Sequence, residues 1–193
     1  MVLAGHETTA NALSWAFHLL SLAPPVERRL HEESASTLDG RAATFDDLPR
    51  LDMASRVYQE AMRLYPPAFT INRVALADDA VGGQPIPAGA IVSVSPWVTH
   101  RNPRLFPDPE RFDPERFRPE AAKARHKYAY LPFGGGPRVC IGNGFALLEA
   151  RLVLATVAQR YRLRLLPGQH IIPQARITLR PSPGVQVRVE ARA

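Results

Sequence analysis

The sequence predicts a mainly α fold with small antiparallel β-sheets, an α+β arrangement, and three observations predict it. Apolar residues recur at helical spacing through three long segments, 2–22, 53–64 and 142–161. The period changes to strand-like alternation over 70–76 and 91–95 and again near the end of the chain. Between these, residues 96–132 carry too many prolines for regular structure yet hold Phe106, Phe112, Phe117, Tyr128 and Tyr130, so the stretch reads as an ordered meander instead of a flexible linker. At 193 residues and 46% hydrophobic content, the chain can build one core.

Taken in order, Val2 to Leu22 is proline-free and largely apolar, a mostly buried helix that stops before Pro24-Pro25. No polar start signal precedes it, which predicts a chain that opens partway through a helix. Pro25 to Ser34 is expected as a short charged helix, and Thr44 to Leu48 as a brief turn after the Asp39-Gly40 break. Met53 to Leu64 is helical, with Val57, Ala61 and Leu64 on one side, until Pro66-Pro67 ends it. Thr70–Leu76 and Ile91–Ser95 form an antiparallel hairpin joined through Gly82-Gly83 and Pro87-Ala88-Gly89. The last long helix puts Phe145, Leu148, Leu152 and Ala155 on one face, and Arg176 to Val189 is expected as a terminal hairpin around Pro181-Ser182-Pro183-Gly184.

Composition narrows the function. The formal net charge is +6, but the arginines are spread along the chain with no basic tail or zinc knuckle, which argues against nucleic acid as a partner. No apolar run reaches the roughly 20 residues of a membrane span, and no secretory pattern follows Met1, so a cytoplasmic location is expected. A single cysteine excludes an internal disulfide and a multi-cysteine metal site. The six histidines show no metal-ligand spacing and read as surface or core residues; His100-Arg101 is not taken as a ligand.

The cysteine itself, Cys140, ends the glycine-rich run Phe133-Gly134-Gly135-Gly136-Pro137-Arg138-Val139-Cys140-Ile141-Gly142, directly before an apolar helix. A lone cysteine is most often a small buried hydrophobe. Three glycines and an arginine two positions before it make a shaped cradle that core packing does not require, and a loop at a helix start can support a thiolate with backbone N–H groups and the helix dipole. A cysteine hydrolase is disfavoured, because no nucleophile signature surrounds the thiol.

This segment resembles the cysteine-ligand loop of the cytochrome P450 family, Phe-x-x-Gly-x-Arg-x-Cys-x-Gly, matched by Phe133, Gly136, Arg138, Cys140 and Gly142. The resemblance implies the carboxy-terminal part of that fold and haem b (iron protoporphyrin IX) as cofactor. Cys140 would be the axial iron ligand, with Phe133, Gly134 and Gly142 around it, Arg138 on one haem propionate and Arg73 on the other. A thiolate donates electron density through iron and favours O–O cleavage. Glu60-x-x-Arg63, by itself an ordinary helix pair, is followed by Pro66-Pro67 and Phe112-Asp113-Pro114-Glu115-Arg116-Phe117 and so resembles the family's buried Glu-Arg-Arg network, implying partners Glu60, Arg63 and Arg116. Ala4-Gly5-His6-Glu7-Thr8-Thr9 resembles the oxygen-activation motif: Thr8 would stabilise activated oxygen, and Glu7 would connect it to solvent protons.

The resemblance further places Ala4, Ala68, Phe69, Ile71, Ile177 and Thr178 along a pocket for a small apolar organic substrate. It implies O2 and an electron-donor protein (ferredoxin, flavodoxin or flavoprotein reductase) as partners, with Arg101, Arg104, Arg125, Lys127 and Arg138 as a basic docking face. All 193 residues are expected to be the carboxy-terminal part of a single catalytic domain that begins within its oxygen-activation helix. The implied function is haem-dependent insertion of one oxygen atom into the substrate; the alternative is a truncated, non-catalytic haem-binding remnant.

Overall fold

A computed structural model describes residues 2–192, with the side chains of residues 2–4 outside the described set. Helix α1 (Val2–Leu22) buries Ala12, Trp15, Ala16, Leu19 and Leu20, as its apolar run requires. Pro24 and Pro25 open α2 (Pro24–Leu38), where a fixed φ suits the first turn. The helix runs four residues beyond the expected Ser34 because Leu30, Ser34 and Leu38 lie on one buried face. The Ser34 hydroxyl, poor in a helix interior by propensity, is satisfied by donating to Leu30 O at 2.7 Å.

A 3₁₀ turn, Phe45–Arg50, follows with Thr44 as its cap, and α3 (Asp52–Leu64) begins under a borrowed cap. The Glu33 carboxylate of α2 accepts from the Met53 and Ala54 amides at 2.5 and 3.0 Å, satisfying orphan donors that the local sequence leaves open. Tyr65 and Pro66-Pro67 end α3.

Strands β1 (Ile71–Val74) and β4 (Ile91–Val94) pair antiparallel, with Ile71 opposite Val94. Their connection is itself a hairpin, β2 (Asp79–Val81) with β3 (Gln84–Ile86), because Gly82 and Gly83 adopt φ 58° and 80° and close a tight turn. The proline-rich stretch is ordered: Pro96, Pro114 and Pro119 open α4 (Pro96–Thr99), a 3₁₀ turn (Pro114–Phe117) and α5 (Pro119–Ala124), while Phe106 and Phe117 are buried. Helix α6 (Asn143–Arg160) then packs with α1, α2 and α3 around one core. Phe145, expected on its buried face, is 69% exposed.

The terminal hairpin is not formed as expected. Strand β7 (Leu179–Ser182) turns back through residues 176–178 onto β6 (Ile172–Ala175), and β8 (Val187–Ala191) pairs with β5 (Tyr161–Leu165). Pro181 lies opposite Pro173, and Pro183-Gly184, the glycine at φ 138°, leads the chain away from β7 instead of folding it back. Among the described residues no helix is long and apolar enough to cross a membrane.

Candidate active site around Cys140

The Cys140 loop is a tight fold of backbone on itself. Gly134 N donates to Leu131 O at 3.1 Å, Val139 N to Gly136 O at 3.1 Å, and Cys140 N to Phe133 O at 3.0 Å. Gly134 and Gly136 sit at φ 77° and 71°, a conformation side chains disfavour. A Cβ on Gly135 would lie 3.1 Å from the Tyr128 ring, so that glycine admits a close neighbour. The Cys140 amide is thus engaged by Phe133 O, and α6 begins three residues after the cysteine, at Asn143. Cys140 is exposed, as are its chain neighbours Val139 and Ile141, the latter 93% exposed.

These residues fit a haem. Cys140 is a free, exposed thiol, as an axial thiolate ligand to haem iron must be. A Cβ added to Gly142 would stand 3.9 Å from Cys140 Sγ, so the loop is thin beside the thiol. Arg73 and Arg138 are exposed, and among the described residues neither pairs with a carboxylate; Arg73 donates to Asn72 O at 2.8 Å. Two such guanidiniums suit the carboxylates of a propionate-bearing group. Phe133, half-buried, packs against the helical core, and Gly134 faces Ile71, whose Cδ1 would lie 3.6 Å from an added Cβ.

Behind the loop, Glu60, Arg63 and Arg116 are brought together. Arg63 donates from Nε and Nη2 to Glu60 Oε2 and Oε1 at 2.6 and 2.8 Å, and both side chains are 0% exposed. Its other donors reach the carbonyls of His100 (2.9 Å), Pro109 (2.7 Å) and Arg111 (3.1 Å), so one guanidinium ties α3 to the meander. Asp113 N donates to Glu60 Oε1 at 2.9 Å, and Arg116 stands 3.5 Å from it. Burial pushes the Glu60 carboxyl up, against the pull of Arg63, the Asp113 amide and Arg116.

His100, set aside as a ligand in the sequence, has a structural role the sequence did not reveal. It is fully buried, and its Nε2 accepts the Leu131 amide at 3.0 Å, pinning the first residue of the cysteine loop. Tyr130 packs against its ring at a tilt of 33° and donates its hydroxyl to Gln59 O at 2.9 Å. Burial holds the imidazole down at a pKa of about 4. Its place within the proline-rich stretch does not distinguish a buried acceptor from a surface histidine.

At the start of α1, Glu7 and Thr8 are half-buried and Thr9 is buried. Thr178, on the turn before β7, donates to Glu7 Oε1 at 2.6 Å and accepts from Asn11 Nδ2 at 3.0 Å. Leu179 N donates to Pro67 O at 2.9 Å, which sets Ala68 and Phe69 alongside Ile177 and Thr178. Ile71 lies at the start of β1, and the side chain of Ala4 lies outside the described residues.

Two of the five basic residues expected to face a partner point inward. Arg125 lies over Phe106 and Phe117 and donates to Arg116 O, while Arg101 pairs with Glu110 at 2.9 Å and covers Trp97. Their guanidinium planes are spent on aromatic faces. Arg104, Lys127 and Arg138 are exposed.

The chain is similar to known proteins in both sequence and fold. A family model described as cytochrome P450 matches residues 1–189. Cyclooctat-9-en-7-ol 5-monooxygenase of Streptomyces melanosporofaciens is 47% identical over 86% of the chain and 36% of its own length. Cyclooctatin synthase of the same organism is 46% identical over 95% of the chain and 40% of its own length. The crystal structure of the cytochrome P450DA heme domain superposes with a TM-score of 0.94 at 34% identity, covering 100% of the chain and 43% of that structure. The chain thus spans about two fifths of the length of these relatives. With the motif, the fold and the match over residues 1–189 in agreement, the chain belongs to the cytochrome P450 family.

Proposed function

We propose that residues 1–193 form the carboxy-terminal part of a single catalytic domain that carries haem b and works as a monooxygenase. An organic C–H, O2, two electrons and two protons would give an alcohol and water. The observation that carries this reading is the exposed Cys140 thiol on its glycine-turned loop, backed by the buried Arg63–Glu60 pair. Bound haem would supply O2 activation, and Cys140 its axial thiolate.

The chain's own residues would do the rest. Cys140 would hold the group, Arg138 and Arg73 would orient its propionates, and Glu60, Arg63 and Arg116 would keep the loop from moving. Glu7 would pass protons inward from solvent and Thr8 would receive them at the reacting oxygen. Ala4, Ala68, Phe69, Ile71 and Ile177 would line an apolar pocket. The name cyclooctat-9-en-7-ol 5-monooxygenase supports a cyclic, largely hydrocarbon substrate. A ferredoxin, flavodoxin or flavoprotein reductase would deliver electrons at Arg104, Lys127 and Arg138.

The test is turnover of the full-length protein under isotopically labelled dioxygen, with ferredoxin and its reductase as donor and cyclooctat-9-en-7-ol as probe. Label in a new hydroxyl group is expected. Product whose new oxygen comes from water would reject the reading. The chain's two-fifths span supports a second reading, a haem-binding piece that is inactive without the remainder. Haem content and a thermal melt of the 193-residue chain alone, against the same chain with the remainder supplied, separate the two.

A further inference from the structure

We infer that Thr178 is a positioning residue for the Glu7 carboxylate, with Asn11 fixing the direction of its hydroxyl. The inference rests on the proposed role of Glu7 in moving protons. Three α1 residues spaced four apart, Glu7, Asn11 and Trp15, form one stripe, and all three meet residues 178–179. Trp15 Nε1 donates to Leu179 O at 3.4 Å, and Leu179 N donates to Pro67 O at 2.9 Å. Arg176 N donates to Thr178 O at 3.1 Å and closes the turn. The backbone carrying Thr178 is therefore held from α1, from the segment after α3 and from within.

The hydroxyl is then constrained by its own valence. An asparagine amide nitrogen can only donate, so Thr178 Oγ1 accepts from Asn11 Nδ2 at 3.0 Å. Its single proton is left for Glu7 Oε1, at 2.6 Å, a length typical of a charge-assisted O–H···O⁻ bond. Thr178 is 6% exposed, so water does not compete freely for that proton. With Oε1 held, Glu7 hands protons on from Oε2, and its reach toward Thr8 is set by a residue 171 positions away in the chain. Thr178, which the sequence assigned to the substrate wall, thereby acts on proton delivery through Glu7.

The experiment uses the haem-loaded full-length protein in substrate-free turnover with ferredoxin and its reductase. It measures the fraction of electrons recovered as hydrogen peroxide for wild type, Thr178→Val, Thr178→Ser, Glu7→Gln and the Thr178→Val/Glu7→Gln pair. Valine keeps the shape and loses the hydroxyl; serine keeps the hydroxyl and loses the methyl. The peroxide fraction is expected to rise several-fold in Thr178→Val, to return near wild type in Thr178→Ser, and to be no higher in the pair than in Glu7→Gln alone. Thermal melts of the same set should be non-additive for the two sites, a readout independent of turnover. An unchanged fraction in Thr178→Val, no rescue by serine, or additive melts would overturn the inference. Absence of the thiolate-type carbon monoxide band in wild type would instead defeat the underlying reading and take this role with it.

Discussion

The Arg63 guanidinium closes on the Glu60 carboxylate at two points, 2.6 and 2.8 Å, and its remaining donors reach three carbonyls of the meander. No other residue type offers a planar fork with donors on both sides. Removing one partner leaves a buried uncompensated charge, so Arg63→Ala and Glu60→Ala are each expected to lose about 3–5 kcal/mol of stability. Arg63→Lys should recover only a minor part, because an ammonium cannot span both carboxylate oxygens and the carbonyls. Chemical denaturation of the full-length protein checks this, and a loss no larger than that of an exposed pair would be contrary to it.

His100 adds a pH dependence with a definite sign. Its folded-state pKa is depressed to about 4 from the ordinary 6.5, mainly by burial; a backbone hydrogen bond at Arg63 opposes this, while the charges of Arg63, Arg101 and Arg125 act with it. As pH falls below 6.5 the unfolded chain takes up a proton that the folded imidazole refuses, so stability declines until pH reaches about 4. Above 6.5 this group contributes no slope. The full decline is about 3 kcal/mol. In His100→Gln the stability slope between these limits should shrink by about one proton relative to wild type; equal slopes would remove His100 as its source.

Gly134 and Gly144 should respond oppositely to alanine. Gly134 lies at φ 77°, where a side chain costs about 1–2 kcal/mol, and it stands in the cysteine loop. Gly134→Ala is therefore expected to lower both stability and haem retention. Gly144, inside α6 with nothing within 4 Å of an added Cβ, should gain up to about 1 kcal/mol from the same change. Paired melts and haem content of the two variants decide it.

Electron delivery should depend on the charges that face outward. Lys127→Glu and Arg104→Glu are expected to slow reduction by an acidic ferredoxin, and added salt should slow wild type toward the same rate. Arg125→Glu should chiefly destabilise, since that guanidinium covers Phe106 and Phe117. Stopped-flow reduction across ionic strength separates the cases; rates flat in salt would reject the docking face.

Much of this was legible in the sequence because it is local. Proline pairs stop α1 and α3, helical spacing marks α6, and glycines where φ is positive announce the cysteine loop. What could not be read depends on partners far along the chain. Ser34 and Leu38 continue α2 because a core face covers them, and Glu33 caps α3 from another helix. Strand partners at the end of the chain follow from the turn at residues 176–178, not from alternation, which β6, β7 and β8 share. The same holds at the site. The Glu7–Thr178 bond joins residues 171 apart, and burial of His100 is set by Tyr130 and Phe106, so neither leaves a local mark.

The most direct test of the account is the absorption spectrum of the reduced full-length protein with carbon monoxide, for wild type and for Cys140→His. With Cys140 as the sole thiol in this chain, wild type should give the thiolate-type band and Cys140→His should lose it while retaining some haem. A thiolate-type band that survives in Cys140→His, or a wild type that binds haem without one, would contradict the assignment of Cys140 as the iron ligand.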